Sequence, residues 1–332
     1  MSETSNQRSA NNNAIAVGVD IGGTKIVAGV VDRTGRVLGR FTTRAHSEQP
    51  PDAVISVVNE AFQKVLESAG IRADDVAGVG VGFPGNTNGR DGIVLTCSNL
   101  PAWDHYPLRD VLVDTLGASV ILDNDTNMGV IGEYQFGAGK GVGNLCYVTV
   151  STGMGMGIMV NGKVYSGHSG SAGEVGHVVA ELNGALCSCG KHGCVMAYAS
   201  GIGISRMAYE QIEAGAETSL RHQMPDNGRR FPVEIVADAA RDGDQVASDI
   251  LATAARYCGI GLSVAVQVLS PELIIIGGGL TRMGPLLLDP ALAAMREHTQ
   301  PELLDFVRVV PWQLGDDLGI LGAAARVFAE RP

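Results

Sequence analysis

Apolar residues along the chain fall into short runs separated by glycine-rich or polar turns, a pattern typical of alternating strands and helices. Short apolar runs that end at glycine, asparagine or aspartate predict strands. These strands span 14–20, 26–31, 37–42, 76–83, 120–122, 145–150, 158–160 and 273–276. Apolar residues at helical spacing and other helix-forming stretches predict helices over 52–69, 108–116, 128–136, 197–213, 233–242, 245–269 and 320–330.

The first two predicted strands are joined by the sequence Ile-Gly-Gly-Thr-Lys at 21–25. Glycines let a backbone approach an anion closely, and the threonine and lysine add a hydroxyl group and a cation. The turn is therefore predicted to bind phosphate through Gly22, Gly23, Thr24 and Lys25. It is not a P-loop, because the pattern Gly-x-x-x-x-Gly-Lys-Ser/Thr is absent. The alternative is a plain hairpin turn.

The second half of the chain opens in the same way, with a strand, a Gly/Thr turn at 151–157 and a return strand. This weak internal repeat predicts two similar lobes, each with a hairpin suited to one side of a polyphosphate. Thr152 and Gly153 are the predicted contacts of the second hairpin. Further along, a buried strand ends in three glycines, which offer a place for a flat ring and a ribose; a structural turn is the alternative. These glycines are Gly277, Gly278 and Gly279.

Three cysteines, Cys187, Cys189 and Cys194, follow His177 within a polar, glycine-broken segment. Three thiolates and one imidazole complete a four-coordinate zinc set and leave no position for water, which is typical of a structural site. Small buried thiols or a disulfide are the alternatives. His192 is a competing fourth ligand, and we interpret it as a solvated loop histidine because its neighbours are a lysine and a glycine.

Five polar residues, Asp-Asn-Asp-Thr-Asn at 123–127, follow a predicted buried strand. Strand ends that face a cleft are where α/β proteins place their chemistry, and a helix N-cap explains only one of the five. For phosphoryl transfer Asp125 is the candidate base, with a pKa raised by desolvation in a closed cleft. Asn99, Asn124 and Glu174 supply donors and acceptors for a polyhydroxylated ligand, and Mg²⁺ is expected on the nucleotide phosphates.

Composition narrows the class of protein. A chain of 332 residues suggests two domains or two lobes, and its 45 glycines suggest many tight turns. A net charge of −11 argues against a nucleic-acid partner, and no apolar run reaches the roughly 18–20 residues of a membrane span. The polar stretch 1–13 lacks the apolar centre of a signal peptide and is expected to be a disordered lead-in. Scattered further cysteines fit reduced thiols in the cytoplasm.

In combination these motifs resemble the ROK sugar kinases, a family named for repressor, open reading frame and kinase. The resemblance implies an α/β, two-lobed actin-like ATPase (ribonuclease H-like) fold with a structural zinc loop. It also implies ATP with Mg²⁺ as the donor, phosphorylation of a sugar's primary hydroxyl (the 6-position, of glucose by default), and a homodimer or homotetramer. The residues that carry it, from about 14 to 328, are Asp20–Lys25, Asn124-Asp125-x-Asn127, Thr152-Gly153, Glu174–His177, Cys187–Cys194, Gly277–Gly279 and Leu314-Gly-Asp-Asp.

The same resemblance implies roles for individual residues. Asp125 would be the base, and His177 would bind zinc with the three cysteines. Gly85, Asn99, Asn124, Asp125, Glu174 and His177 would line the sugar pocket. The expected small lobe spans 14–123 with about 315–332, and the expected large lobe, with the zinc loop and an oligomerisation surface, spans 124–314.

One position departs from the family's pattern. The family usually has a glutamate two residues after the last zinc cysteine, near carbons 1 and 2 of the sugar, and this chain has Met196. Losing a charged acceptor would cost glucose about 1.5–3 kcal/mol of binding free energy. Either Met196 points elsewhere, or another group compensates, or the acceptor is a modified hexose-like ligand. Such ligands include a C7-cyclitol such as a valiolone, N-acetylmannosamine and an aminodeoxy sugar.

Two other classes of protein agree less well with the sequence. A sugar-responsive repressor of this family is disfavoured, because such proteins carry an N-terminal helix-turn-helix domain of about 60–80 residues and the phosphate turn here begins at Asp20. An inactive sugar-binding protein is disfavoured because Asp125 and both phosphate turns are present.

Overall fold

The computed structural model describes residues 14–97, 101–225 and 230–330. The expected disordered lead-in at 1–13 and the expected sugar ligand Asn99 lie outside the described residues. The chain divides into two compact units. The first comprises Met1–Gly143, Gly157–Ala172 and Trp312–Pro332, and the second comprises Asn144–Met156 and Gly173–Pro311.

The first unit contains a five-stranded sheet in the order β3-β2-β1-β4-β7. Strands β1 to β3 pair antiparallel, and β4 and β7 continue the sheet parallel to β1. The short strands β5 and β6 form a separate hairpin that the sequence did not predict. The strands are β1 (Ile15–Ile21), β2 (Lys25–Asp32), β3 (Val37–Arg44), β4 (Val76–Phe83), β5 (Asn86–Asn88), β6 (Ile93–Thr96) and β7 (Val120–Asn124).

Helices cover both faces of this sheet. Because side chains alternate along a strand, Val17, Val19 and Ile21 of β1 join the apolar core formed with α1 (Pro51–Ala69) and α2 (Leu108–Leu116). Ala16 instead packs with α9 (Leu318–Glu330), and α3 (Asp125–Phe136) packs against α9 in turn.

Helix α9 lies with its backbone directly against the sheet. A Cβ atom at Gly18 or at Gly80 would overlap the carbonyl oxygen of Ile320 or of Ala323. Only glycine permits such an approach. Asp20 lies two residues beyond Gly18 and therefore projects from the same face of β1.

The second sheet has the order β10-β9-β8-β11-β12. Strand β11 is parallel to β8 and to β12, and β9 pairs antiparallel with β10. This strand order reproduces that of the first sheet, which agrees with the internal repeat predicted from the two Gly/Thr turns. The strands are β8 (Leu145–Val150), β9 (Met154–Val160), β10 (Lys163–Val164), β11 (Leu273–Gly277) and β12 (Arg308–Pro311).

The remaining helices belong to the second unit. They are α4 (Gly201–Glu213), α5 (Val233–Arg241), α6 (Gln245–Leu269), α7 (Pro285–Glu297) and α8 (Pro301–Leu304). Helix α6 is long and apolar enough to cross a membrane by length and composition, but 61% of its most apolar window is buried inside the protein. That burial is the property of a core helix.

Several predicted boundaries are wrong, and each error has a local cause. The helix predicted from 128 begins at Asp125, because Asn124 caps it. The helix predicted from 197 begins at Gly201, because the side chain of Ser200 accepts a hydrogen bond from Gly203 N–H. The glycine turn predicted over 151–157 ends at 153, because the glycines beyond it belong to strand β9.

The contacts also place α3 in the first unit, although the expected lobe boundary lies between 123 and 124. Gly132 of α3 lies against Gly322 of α9, where a Cβ would come 3.1 Å from the Gly322 Cα. The helix therefore stays with the sheet that precedes it.

Candidate active site

The carboxyl ends of three parallel strands meet in one row of the first unit. In the register of the sheet Asp20 of β1 lies beside Gly82 of β4, and Gly82 lies beside Asp123 of β7. A Cβ at Gly82 would be 3.8 Å from Asp20 Oδ1 and 3.7 Å from the Cα of Asp125. Asp20 and the predicted base Asp125 therefore lie on either side of one small residue.

Asn124 shapes the start of helix α3. Its Oδ1 accepts from Thr126 N–H at 2.8 Å and from the Thr126 hydroxyl, and its Nδ2 donates to the carbonyl oxygen of Gly85 at 2.8 Å. One side chain thus caps the helix that begins with Asp125 and holds the predicted sugar-pocket residue Gly85 against it.

Asp123 anchors this strand end from within. It is buried, and its Oδ1 accepts from Asn124 N–H and from Asn127 Nδ2, each at 2.8 Å. Burial raises the pKa of Asp123, and these hydrogen bonds together with Arg326 at 3.5 Å partly offset the increase. Much of the polar run at 123–127 therefore stabilises the strand end and the start of α3, a role that the sequence did not indicate.

Asp20 is a site residue for which the sequence predicts no individual role. Burial raises the pKa of Asp20 to about 6, although the nearby Lys25 cation acts in the opposite direction. Gly319, in the first turn of α9, leaves room for this side chain, since a Cβ there would be 2.6 Å from the Asp20 Cγ. A buried carboxylate with a raised pKa beside a candidate base is typical of a functional site.

The predicted phosphate turn follows Asp20 directly. Gly22 N–H donates to the carbonyl oxygen of Lys25 at 2.9 Å and closes the turn. Gly23, Thr24 and Lys25 are exposed, and a Cβ at Gly23 would meet no atom within 4 Å. The backbone of this turn is accessible to a ligand.

In the second unit the predicted nucleotide residues gather at the ends of β8 and β11. Gly277 lies beside Thr149 in the register, and the Gly278 backbone lies directly against Val150. Thr152 and Gly279 line one cavity of about 530 Å³, together with Phe231. This volume falls in the usual range for small-ligand sites.

The segment from Glu174 to His177 docks onto strand β9 through glycines. A Cβ at Gly173 or Gly176 would overlap the carbonyl oxygen of Met156 or of Met154, and Gly173 also has φ of +100°. These close contacts fix the short helical turn Val175–His177. His177 Nε2 lies 3.8 Å from Glu174 Oε2.

The four predicted zinc ligands are brought together in the second unit. Their ligand atoms all lie within 4.8 Å of one another. His177 Nδ1 is 3.6 Å from Cys187 Sγ, and Cys189 Sγ is 3.7 Å from Cys194 Sγ. A tetrahedral zinc ion would separate such atoms by about 3.6–3.8 Å, so the donor set fits the metal.

His192, the competing histidine, lies outside this cluster. It is exposed, and its Nδ1 donates to the carbonyl oxygen of Gly184 at 2.9 Å.

The other side of the loop is held by Glu181, whose Oε2 accepts from the hydroxyls of Tyr198 and Tyr257, each at 2.6 Å. These two hydrogen bonds lower the pKa of Glu181.

Met196 occupies a buried position between two parts of the second unit, with 8% of its surface exposed. A Cβ at Gly176 would be 3.2 Å from the Met196 Cβ, and one at Gly153 would be 3.3 Å from its Sδ. The thioether therefore extends from the Glu174–His177 segment to the predicted phosphate turn.

Comparisons with known proteins agree with this geometry. The ROK family model matches residues 16–330. The glucokinase of Thermotoga maritima is 34% identical over 315 residues, which cover 95% of this chain and 97% of that protein. The xylose repressor of Caldicellulosiruptor bescii is 26% identical over 314 residues, which cover 95% of this chain and 78% of that protein.

A crystal structure of a ROK family glucokinase from Streptomyces griseus, in complex with glucose and AMPPNP, matches with a TM-score of 0.81. The identity is 35%, and the match covers 94% of this chain and 98% of that chain. The similarity confirms the predicted α/β fold of the actin-like ATPases.

Replacing Asp20 by asparagine is expected to stabilise the folded chain at pH 8. The pKa of Asp20 is about 6 in the folded chain, against an ordinary value of 3.8, so the folded state holds this proton more tightly than the unfolded state. Stability is therefore lost as the pH rises from about 4 through about 6 and the buried carboxylate ionises. The substituted amide has no charge to desolvate, so urea denaturation should show Asp20→Asn about 1–3 kcal/mol more stable at pH 8 and little changed at pH 4.

Asp32, the last residue of β2, supplies the matched control. Burial alone would raise its pKa, but hydrogen bonds from Thr34 and Arg36 outweigh burial and lower it. Asp32→Asn should therefore destabilise the chain at pH 8, with the opposite sign. A loss of stability at pH 8 in both variants would contradict the explanation by charge burial at Asp20.

The purified chain is expected to contain one zinc ion held by the Cys187–Cys194 loop. Cys189→Ser and His177→Ala should both lose the metal and melt at a lower temperature, because each removes a ligand from a closed set. His192→Ala is the matched control and should keep full zinc content, measured by metal analysis. Zinc retained in His177→Ala but lost in His192→Ala would assign the fourth ligand to the other histidine.

Proposed function

The chain belongs to the ROK family, and on that premise we propose that it transfers the γ-phosphoryl group of ATP to the primary hydroxyl, the 6-position, of a hexose. That it is an ATP-dependent sugar kinase follows from its glucokinase relatives. The observation that carries the finer proposal is the position of Asp125, at the start of α3 beside the ends of three parallel strands.

Asp125 is the base in this proposal. Phosphoryl transfer asks a protein mainly for positioning and charge stabilisation, so one carboxylate that takes the proton of the attacking hydroxyl is sufficient. The Asn124 cap and the buried Asp123 hold the start of α3 in place, which supports this assignment. Rigid support of the catalytic group is what keeps it in reach of the hydroxyl.

Mg²⁺, when bound with ATP, neutralises charge on the phosphates. Asp20 is the residue that would hold it, because Mg²⁺ prefers carboxylate oxygen and Asp20 is a desolvated carboxylate at the phosphate turn. Gly22, Gly23, Thr24 and Lys25 would bind the phosphates from the first unit.

Thr152 and Gly153 would bind the phosphates from the second unit. Gly277, Gly278 and Gly279 would adjoin the ribose and base, with the cavity that Thr152 and Gly279 line as the base site. Its size and its buried aromatic residue, Phe231, support this assignment.

The sugar pocket is proposed to comprise Gly85, Asn99, Asn124, Asp125, Glu174 and His177. A zinc ion held by these four residues would have a structural role, because the complete ligand set would leave no open position for water. His177 Nδ1 faces Cys187 and its Nε2 faces Glu174, so a metal held by Nδ1 would fix the orientation of this predicted sugar-pocket residue.

The acceptor is proposed to be glucose, as in the glucokinase relatives, or a hexose-like ligand modified near carbons 1 and 2. Burial of Met196 beside the Glu174–His177 segment supports the second option, because an apolar thioether offers no acceptor for sugar hydroxyls. It also argues against a Met196 that points away from this segment.

A sugar-responsive repressor is the second candidate, supported by the match to the xylose repressor of Caldicellulosiruptor bescii. A net charge of −11 disfavours binding to DNA. Turnover of ATP with sugar separates the two, since a repressor needs only to bind. A homodimer or homotetramer in the cytoplasm remains the prediction for the assembly.

Asp125→Ala is expected to lower kcat by about 10²–10⁴-fold, because general-base catalysis contributes on that scale. Binding of the sugar, measured by calorimetry, should change little. Asp110→Ala is the matched control: this exposed aspartate lies in the first turn of α2, and its loss should leave kcat unchanged. An Asp125→Ala protein with wild-type turnover would remove Asp125 as the base.

Met196→Glu separates the two classes of acceptor. If glucose is the acceptor, the new carboxylate should lower KM for glucose by about 10- to 100-fold, from about 1.5–3 kcal/mol of charged hydrogen bonding. If the acceptor is modified at that end, Met196→Glu should lower activity on it, whereas Met196→Leu, which stays apolar, should retain it. A panel of glucose, N-acetylmannosamine, an aminodeoxy sugar and a C7-cyclitol provides the readout.

A further inference from the structure

The segment that follows strand β3 folds back over the first phosphate turn. Ala45 N–H donates to the carbonyl oxygen of Thr24 at 3.0 Å, and the hydroxyl of Ser47 donates to the carbonyl oxygen of Gly23 at 2.5 Å. Ala45 is buried, and Ser47 is partly buried, whereas Gly23 and Thr24 are exposed. Two consecutive carbonyl groups of the turn are therefore held from one side.

These two hydrogen bonds decide where the amide groups of the turn point. In a trans peptide the C=O and the following N–H point in opposite directions. A Gly23 carbonyl that is tied to Ser47 turns Thr24 N–H away from Ser47. Within the described part of the chain, neither Gly23 N–H nor Thr24 N–H donates a hydrogen bond to the backbone. Adjacent N–H groups in a turn are the groups that anion-binding concavities use.

The backbone is bent to make this arrangement possible. His46, between the two donors, has φ of +51°, a conformation that is uncommon for a residue with a side chain. The bend is braced by Gln49 N–H, which donates to the carbonyl oxygen of His46 at 2.9 Å. Arg44 Nη2 and Glu48 Oε1 join the two ends of the segment at 3.1 Å. A strained residue held by its surroundings is typical of functional sites.

We propose that Ser47 is a positioning residue for nucleotide binding: its hydroxyl holds the Gly23 carbonyl so that Thr24 N–H faces the phosphates of ATP. The inference rests on the proposed kinase function and deepens it. Glycines alone leave the turn free to rotate its peptides, and the hydroxyl removes that freedom before the ligand arrives. Preorganised donors bind charge without a reorganisation cost.

The test is Ser47→Ala in the full-length chain, with ATP, Mg²⁺ and glucose as probes. We expect KM for ATP to rise about three- to tenfold, which corresponds to the loss of one orienting hydrogen bond. KM for glucose should stay within about twofold, because the change is confined to the nucleotide side. Ser47→Thr, which keeps the hydroxyl, should have the same KM for ATP as the wild-type chain.

Thr34→Ala is the matched control. Thr34 donates its hydroxyl to Asp32 Oδ1 at 2.6 Å in the turn at the opposite end of β2, away from the phosphate turn. Its loss should lower the melting temperature about as much as Ser47→Ala does, with no change in either KM. A Ser47→Ala protein with wild-type KM for ATP, or one in which both KM values rise together, would overturn the inference. So would a Ser47→Thr protein that behaves like Ser47→Ala.

A binding measurement keeps this inference separate from the proposed function. The rise in melting temperature caused by AMPPNP with Mg²⁺ should be smaller for Ser47→Ala than for the wild-type chain or for Thr34→Ala. If Ser47→Ala does not fold, Ser47→Cys, which retains only a weak donor, takes its place in the same measurement. A wild-type chain that binds AMPPNP but phosphorylates no sugar would overturn the kinase proposal alone. Equal shifts in the variant and the wild type would overturn the role of Ser47.

Discussion

The register of three parallel strands is the constraint on which the first unit's chemistry depends. Because β1, β4 and β7 run in the same direction, their carboxyl ends bring Asp20, Gly82 and Asp123 into one row, although these residues are far apart in sequence. The side chains of Asp20 and Asp123 are partly or fully buried there, at a cost that shows in their raised pKa values. A shift of one residue in either pairing would turn one of these side chains to the other face of the sheet.

The predicted zinc loop, from Cys187 to Cys194, is held in one conformation mainly by polar side chains and their ligand-type contacts. Its residues include glycines and exposed polar positions, and few of its side chains are large and apolar. On one side of the loop the three thiol groups and the imidazole lie close together. On the other side Glu181 accepts hydrogen bonds from the hydroxyls of Tyr198 and Tyr257. Close backbone contacts of Gly173 and Gly176 with β9 place Glu174, and His177 lies in the cluster with the three cysteines.

Much of the fold could be predicted from the sequence, because hydrophobic periodicity and glycine turns are local signals. The cluster of three cysteines and one histidine, both Gly/Thr turns and the internal repeat were predicted in this way. Helix α7 and strand β12 were missed for physical reasons. Pro285 and Pro290 argue against a helix, yet α7 begins at the first and accommodates the second. Pro311 argues against a strand, yet β12 is an edge strand where a missing N–H is tolerated.

The site was harder to predict, because its electrostatics arise from residues distant in sequence. Asp20 is desolvated against α9, which begins at Leu318, and no pattern near Asp20 indicates that contact. In the same way, the polar run at 123–127 divides into a cap, a buried anchor and a candidate base only when Gly85 and Arg326 are in place. Asn99 and the lead-in at 1–13 stay predictions, because they lie outside the described residues.

The direct contact between α9 and the first sheet limits how this unit can vary. Where Gly18 and Gly80 meet the carbonyl groups of Ile320 and Ala323, there is no side chain to enlarge, shrink or exchange. At these two contacts sequence drift has nothing to exchange, whereas on the opposite face Val58 and Phe62 of α1 offer side-chain volumes that can be traded against one another. The contacts that tolerate no added Cβ therefore lie on the face of β1 from which Asp20 projects.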